Sequence, residues 1–193
     1  MIWLFLLLAV IVGYMKGGKF IRLKNLDFKL LSPIIIALIF QYLLIIFCDN
    51  DLKIVGNYAK EIYLGSFILL FIGILLNIKI PSLWILLVGA ISNFVVFIMN
   101  GMKIPVSVDA LKLAGMNSTI ELIENGQYKL YEIIASGTDY SILGKVIAVD
   151  NVLPISGVFS VGDILMTLGL FIFIESHMND KSLERRIDFG FGR

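Results

Sequence analysis

Five stretches of almost unbroken apolar residues set the rhythm of this chain, at 1–15, 30–48, 58–77, 81–100 and 158–176, each bounded by charged or turn-forming residues. A bilayer core about 30 Å thick needs roughly 20 apolar residues at the helical rise. The pattern therefore predicts five membrane-crossing helices. The first stretch, MIWLFLLLAVIVGYM, is the shortest, and its apolar character runs on toward Ile21. Pro33 falls in the first turn of the second stretch and Pro81 opens the fourth, positions where a missing N–H costs little. Basic residues follow the first stretch (Lys16, Lys19, Arg22, Lys24) and no small-residue cleavage pattern succeeds it, so it reads as a retained helix rather than a signal peptide.

Residues 101–157 break the pattern. Ser107 is placed to cap a short helix, with Asp109 near its positive end. Ser118-x-x-Glu121 has the form of a capping box, and Asn125-Gly126 that of a helix end. YKLYEII and YSILGKVIAV read as extended, although the ASGTDYS between them is long for a tight hairpin. So few residues can hardly bury a core of their own. The segment is expected to lie on the helix ends as a lid or re-entrant hairpin. The predicted fold class is all-α membrane: a five-transmembrane-helix bundle with a short extracytoplasmic re-entrant or lid segment, in one membrane domain over 1–193.

Charge orients the bundle. With the N-terminus outside, the cytoplasmic segments hold ten of the sixteen Lys and Arg residues, and the outer segments hold ten of the fifteen acids. By the positive-inside rule this gives N-out, C-in. Overall, 59% of residues are hydrophobic and 16% charged, against about 45–50% and 25% in soluble domains. A formal net charge of +1 offers no footprint for nucleic acid. One cysteine, Cys48, and one histidine, His177, exclude an internal disulfide framework and a histidine-built metal centre. No metal or cofactor is expected. Phosphate-binding loops, nucleophile elbows and nucleotide fingerprints are missing from the sequence. No ionisable residue lies near the middle of a predicted span, which speaks against a proton pump or ion-coupled transporter.

The polar residues that do enter the spans are few. Asp163 sits five residues into the last one, where an ionisable group is a functional candidate. Ser160-x-x-Asp163 is equally a capping box, and the two readings are compatible. Asn93 and Asn100 share a face of the fourth helix with Gly89, as residues for helix contact or for a ligand. Gln41, in the second helix, has the same two readings. Gly65, Gly73 and Asn77 on the third helix, and Gly162 and Gly169 on the fifth, predict helix-contact faces. Lys16, Gly17, Gly18, Lys19 and Arg22 form a basic membrane-surface flank in which the glycines could offer N–H groups to a lipid phosphate. His177 and the LERR beyond it read as tail.

Three groups of residues carry a family resemblance: Lys16-Gly17-Gly18-Lys19; Asn100-Gly101 with Pro105-Val106-Ser107; and Ser160-Val161-Gly162-Asp163-Ile164-Leu165. Together they resemble small prokaryotic membrane proteins grouped as domain of unknown function 5317, whose pattern is similar to NGGRMPVS and, later, SVGDVLI. At Met102, Lys103 and Ile104 the family tends to Gly, Arg and Met. After Leu143-Gly144 it implies an aspartate where this chain has Lys145. The resemblance brings no activity, and implies only that these positions gather on the outer face.

The expected function is that of a bacterial inner-membrane protein binding a lipid or other amphipathic ligand at its outer face. Asn93, Asn100, Gly101, Pro105, Ser107, Asp109 and Asp163 would line or shape that site. Expected partners are membrane lipids and a further membrane protein, not nucleic acid. Two other readings stand beside it: an accessory subunit of a larger membrane complex, and an intramembrane hydrolase using two aspartates, with Asp109 the candidate partner of Asp163. No catalytic residue is assigned.

Overall fold

The computed structural model describes residues 2–25, 28–47, 57–149 and 157–180. Five long helices occupy the predicted stretches to within three residues: α1 (Ile2–Met15), α2 (Phe28–Phe47), α3 (Ala59–Leu76), α4 (Ser82–Met99) and, after the outer segment, α7 (Val161–Asn179). Among the described residues α3, α4 and α7 are long and apolar enough to cross a membrane, while the apolar runs Leu4–Met15 and Leu31–Leu44 are shorter. Less than two fifths of each long span is buried inside the protein. Ile68, Ile72, Val88, Ile91, Ile164 and Leu168 all point outward. A water-soluble fold does not leave so much apolar surface bare.

The helices form a continuous series, α1 on α7, α7 on α4, α4 on α3 and α3 on α2. Glycines set two of these junctions. A Cβ on Gly89 would lie 2.6 Å from Gly162 O and 2.7 Å from Met166 N, and one on Gly169 would lie 2.6 Å from Leu86 N. The backbones of α4 and α7 thus touch where both side chains are missing. Gly73 receives Ile34 and Pro33 of α2 in the same way. Gly65, expected on the same contact face, has nothing within 4 Å and takes no part in helix packing. Between α3 and α4 the contact is aromatic: Phe67 meets Phe94 edge-on at 5.4 Å, and Tyr63 meets Phe97 at 5.0 Å.

Connections fix the directions. Ile34, near the start of α2, touches Gly73 near the end of α3, while Leu44 clusters with Ala59 and Phe97 at the opposite end. Gly13, near the end of α1, packs on Met178 at the end of α7. The chain then turns through Gly17 (φ +81°) into a short 3-10 helix, Phe20–Asn25. Part of the basic stretch is docked on a helix end, while Lys16, Gly17 and Lys19 remain exposed. Lys19 N and Arg22 Nη1 both donate to Met178 O, at 2.9 and 2.8 Å, and Lys16 pairs with Glu175 at 3.0 Å. Arg22 is only 3% exposed. A guanidinium at the carbonyl end of α7 suits the negative pole of that helix. His177 belongs to the last turn of α7, with its Nδ1 2.7 Å from Phe173 O, and is not a tail residue. Cys48, residues 181–193 with the LERR tail, and most of the loop after α2 lie outside the described residues.

The outer segment departs most from expectation. It is not all helical: β1 (Ile104–Val106) runs parallel to β2 (Tyr131–Ile133), and β3 (Ile147–Val149) runs antiparallel to β4 (Gly157–Phe159). The two predicted extended stretches do not pair with each other; each finds a partner next to a long helix. Between β1 and β2 lie α5 (Val108–Leu113) and α6 (Asn117–Glu124). Val106, Ala110, Leu111, Ala114, Ile123, Tyr128 and Val158 bury one another, so this cap has the small core that its length seemed too short to provide. Ser107 caps α5 as expected, and Gly126 (φ +70°) ends α6. The Ser118–Glu121 box does not form, because α6 already begins at Asn117.

These glycine contacts predict a contrast. Gly89→Ala should destabilise the detergent-solubilised protein by about 1–3 kcal/mol, because backbone must move to admit the methyl. Gly65→Ala should be neutral or slightly stabilising through helix propensity. Thermal unfolding followed by circular dichroism distinguishes the two.

Candidate functional site

The capping box that the sequence predicts at the start of α7 forms, and it is the nucleus of a larger cluster. Asp163 N donates to Ser160 Oγ at 2.9 Å, and Ser160 N returns a bond to Asp163 Oδ2 at 3.1 Å. The close Gly89–Gly162 approach brings Asn93 of α4 alongside. Its Nδ2 donates to Asp163 Oδ1 at 2.8 Å, and its Oδ1 accepts from Ser160 Oγ at 2.7 Å. A Cβ on Gly162 would overlap the Asn93 amide, so the glycine is required for this pairing.

The third contribution comes from the cap. Lys145 Nζ donates to Asp163 Oδ2 at 2.7 Å, with side-chain exposures of 14% and 22%. The lysine is held by its own backbone: Lys145 N donates to Pro105 O at 2.8 Å, and Ser107 N donates to Lys145 O at 3.0 Å. Gly144 lets the strands close, since a Cβ there would sit 2.7 Å from Pro105 O. Burial works against the charged form of Lys145, but the Asp163 carboxylate and its hydrogen bond outweigh it and hold the ammonium above the usual lysine range. Tyr63 of α3 lines, with these groups, a cavity of about 10 Å³, room for roughly one water. No larger molecule fits there.

The remaining sequence candidates divide. Asn100 ends α4 and clasps the cap loop: its Nδ2 donates to Asp139 O at 2.9 Å, and its Oδ1 accepts from Asp139 N at 3.1 Å. Gly101 (φ +63°) turns the chain out of α4, and its carbonyl accepts from Lys60 Nζ at 3.1 Å. Pro105 is buried in β1. Asp109 stands exposed in the first turn of α5, outside the groups that surround Asp163. Asp109 neither bonds to Asp163 nor lines the small cavity beside it. The described residues hold no group of three or more potential metal-ligating residues. Gln41 Nε2 is shielded from solvent with no hydrogen-bond partner, and nothing ties it to this cluster.

Sequence reasoning missed Lys145 as the counter-ion. The signal was there: one lysine stands between Ser141-Ile-Leu-Gly and Val-Ile-Ala-Val, an otherwise uncharged and largely apolar stretch. It also missed a wider cleft at this end of the bundle. Its volume is about 470 Å³, and its lining includes Lys60, Lys103, Lys129, Tyr128, Tyr131 and Glu132.

Asp163→Ala leaves the Lys145 ammonium part-buried without its anion, and is expected to cost about 3 kcal/mol and loosen the cap. Lys145→Met combined with Asp163→Asn should recover much of that loss. Limited trypsinolysis at Lys112 and Lys129, with thermal unfolding, measures both. Because the folded lysine titrates above the unfolded one, the pair contributes fully below the ordinary lysine value, about 10.4. Its contribution disappears only as pH climbs past the raised value. Cap protection should therefore hold from neutrality to about pH 10 and fall beyond it.

Neither a curated protein nor a solved structure matches the chain significantly. A family profile does, that of the family of unknown function DUF5317, over residues 25–175. The match takes in α2, α3, α4, the whole cap and most of α7, with every member of the Asn93–Lys145–Ser160–Asp163 cluster. The chain belongs to this family.

Proposed function

We propose that this is a multi-pass protein of the bacterial cytoplasmic membrane that binds a lipid or other amphipathic ligand at its outer face. In this reading all five long helices cross, with the N-terminus outside, the cap in the extracytoplasmic space and the C-terminus inside. Support comes from the direction of the helices: α2 and α3 are antiparallel, α3 and α4 are joined by a short turn, and α1 runs parallel to α7. In sequence order, the segments that this orientation assigns to the cytoplasm carry ten of the sixteen Lys and Arg residues.

The observation that carries the ligand is the cleft of about 470 Å³, a size typical of small-molecule sites. Lys60 in its wall belongs to the first turn of α3, where the apolar helix surface ends, and Lys103 follows shortly after α4. Ile123 and Ile133 supply apolar lining, and the lysines, Glu124 and Glu132 supply polar lining. A cavity with a mainly apolar lining and charged groups at the rim of the apolar helices matches a molecule with the same two characters. By contrast, the Asn93–Asp163 cluster is closed and serves to hold the cap over the cleft's neighbourhood.

Purification in mild detergent followed by native mass spectrometry tests this. A retained lipid at fixed stoichiometry is the expected result. A co-purifying membrane protein with no retained lipid would replace the reading with that of an accessory subunit.

A further inference from the structure

The three lysines of the cleft come from three separate parts of the chain. Lys60 rises from α3, Lys103 leads into β1, and Lys129 precedes β2. Lys60 Nζ donates to Gly101 O at 3.1 Å, and Lys129 Nζ donates to Asn57 Oδ1 at 2.5 Å. Both acceptors are neutral. An ammonium carries three donors, so each retains capacity, and among the described residues neither faces a carboxylate within ion-pair distance. Lys103 reaches Glu132 at a loose 3.5 Å. Folding has therefore brought three lysines into one cleft with two glutamates, Glu124 and Glu132, of which Glu132 is engaged only loosely, by Lys103. Mutual repulsion of this kind is tolerated where an anion regularly occupies the space between the cations.

Position narrows the class of anion. Lys60 lies in the first turn of an 18-residue apolar helix, the depth at which lipid phosphates lie when such a helix crosses a bilayer. The adjoining last turn of α4 exposes Ile98 and Met99, apolar surface suited to an acyl chain. Tyr128 and Tyr131, with rings 5.6 Å apart, form a rigid wall on the cap side.

We propose that this cleft binds the phosphate of an anionic amphiphile, with Lys60 and Lys129 donating to the phosphate oxygens and Lys103 exchanging Glu132 for the ligand. The proposal rests on the amphiphile reading above and adds the chemistry of the headgroup. Lysine suits this use: as a point charge with rotatable donors it holds a phosphate without demanding one orientation.

The test uses the full chain in nanodiscs and native mass spectrometry, with phosphatidylglycerol against phosphatidylcholine at matched amounts. Wild-type protein should retain phosphatidylglycerol by about tenfold or more. The double variant Lys60→Gln with Lys129→Gln should lose most of that preference. A control of equal charge change outside the cleft, Lys79→Gln with Lys112→Gln, should keep it. Glu132→Gln should raise retention, an effect opposite in sign that no folding defect imitates. Competition by millimolar inorganic phosphate, sensitive to the same double variant, would assign the site to a soluble phosphate; no competition assigns it to the lipid. If the double variant keeps the preference, or Glu132→Gln leaves retention unchanged, the headgroup proposal is overturned. Lipid retained without any headgroup preference sinks this proposal alone. No retained lipid at all sinks it together with the amphiphile reading.

Discussion

A carboxylate in the first turn of an apolar helix cannot be left to itself, and much of this structure is the answer to Asp163. Removing such a group from water is expensive unless its oxygens are bonded and its charge is met. Here the helix supplies its own N-terminal N–H, α4 supplies an amide, and the cap supplies an ammonium. Each supplier has to be positioned in turn. The amide needs Gly89 and Gly162 so that two helix backbones can touch. The ammonium needs Lys145 braced between Pro105 and Ser107. One ionised side chain thus specifies a helix crossing and the seat of a separate module.

That arrangement separates the cluster that holds the cap from the cleft proposed to bind. The cluster around Asp163 is part-buried, both carboxylate oxygens of Asp163 are bonded, and its cavity is water-sized. The cleft is open, lined by charges that are incompletely matched, and more than an order of magnitude larger. The residues that most resemble a site in the sequence are those that fasten the cap, because fastening at membrane depth needs the same polar, small and turn-forming residues that binding does. The cleft is built from lysines, glutamates and part-buried or buried tyrosines scattered over some seventy positions, which no local pattern connects.

The long helices were legible because a bilayer-length apolar run is a strong and local signal. The Ser160–Asp163 box and the Ser107 cap were legible for the same reason, each lying within four residues. The cap's core and strand pairing were not. β1 pairs with a strand 27 residues further on, enclosing two short helices, and three-residue strands leave too little alternation to read. Asp109 illustrates the limit from the other side: its helix-start position was read correctly, but the direction in which that short helix faces depends on tertiary packing. Arg22 does likewise. A basic residue after an apolar helix ordinarily faces solvent or headgroups, and only the approach of Met178 turns it into a buried cap.

The order of residues along the chain gives the Asp163 cluster a temporal meaning. Asn93 and Lys145 are both synthesised before their shared anion, and β4, which completes the second pair of strands, lies immediately ahead of α7. Until the final helix emerges, the cap has an unneutralised cation at its base and an unfilled strand position. Docking of α7 supplies strand, cap and counter-ion in one event, so the cap is fastened only once α7 has been made.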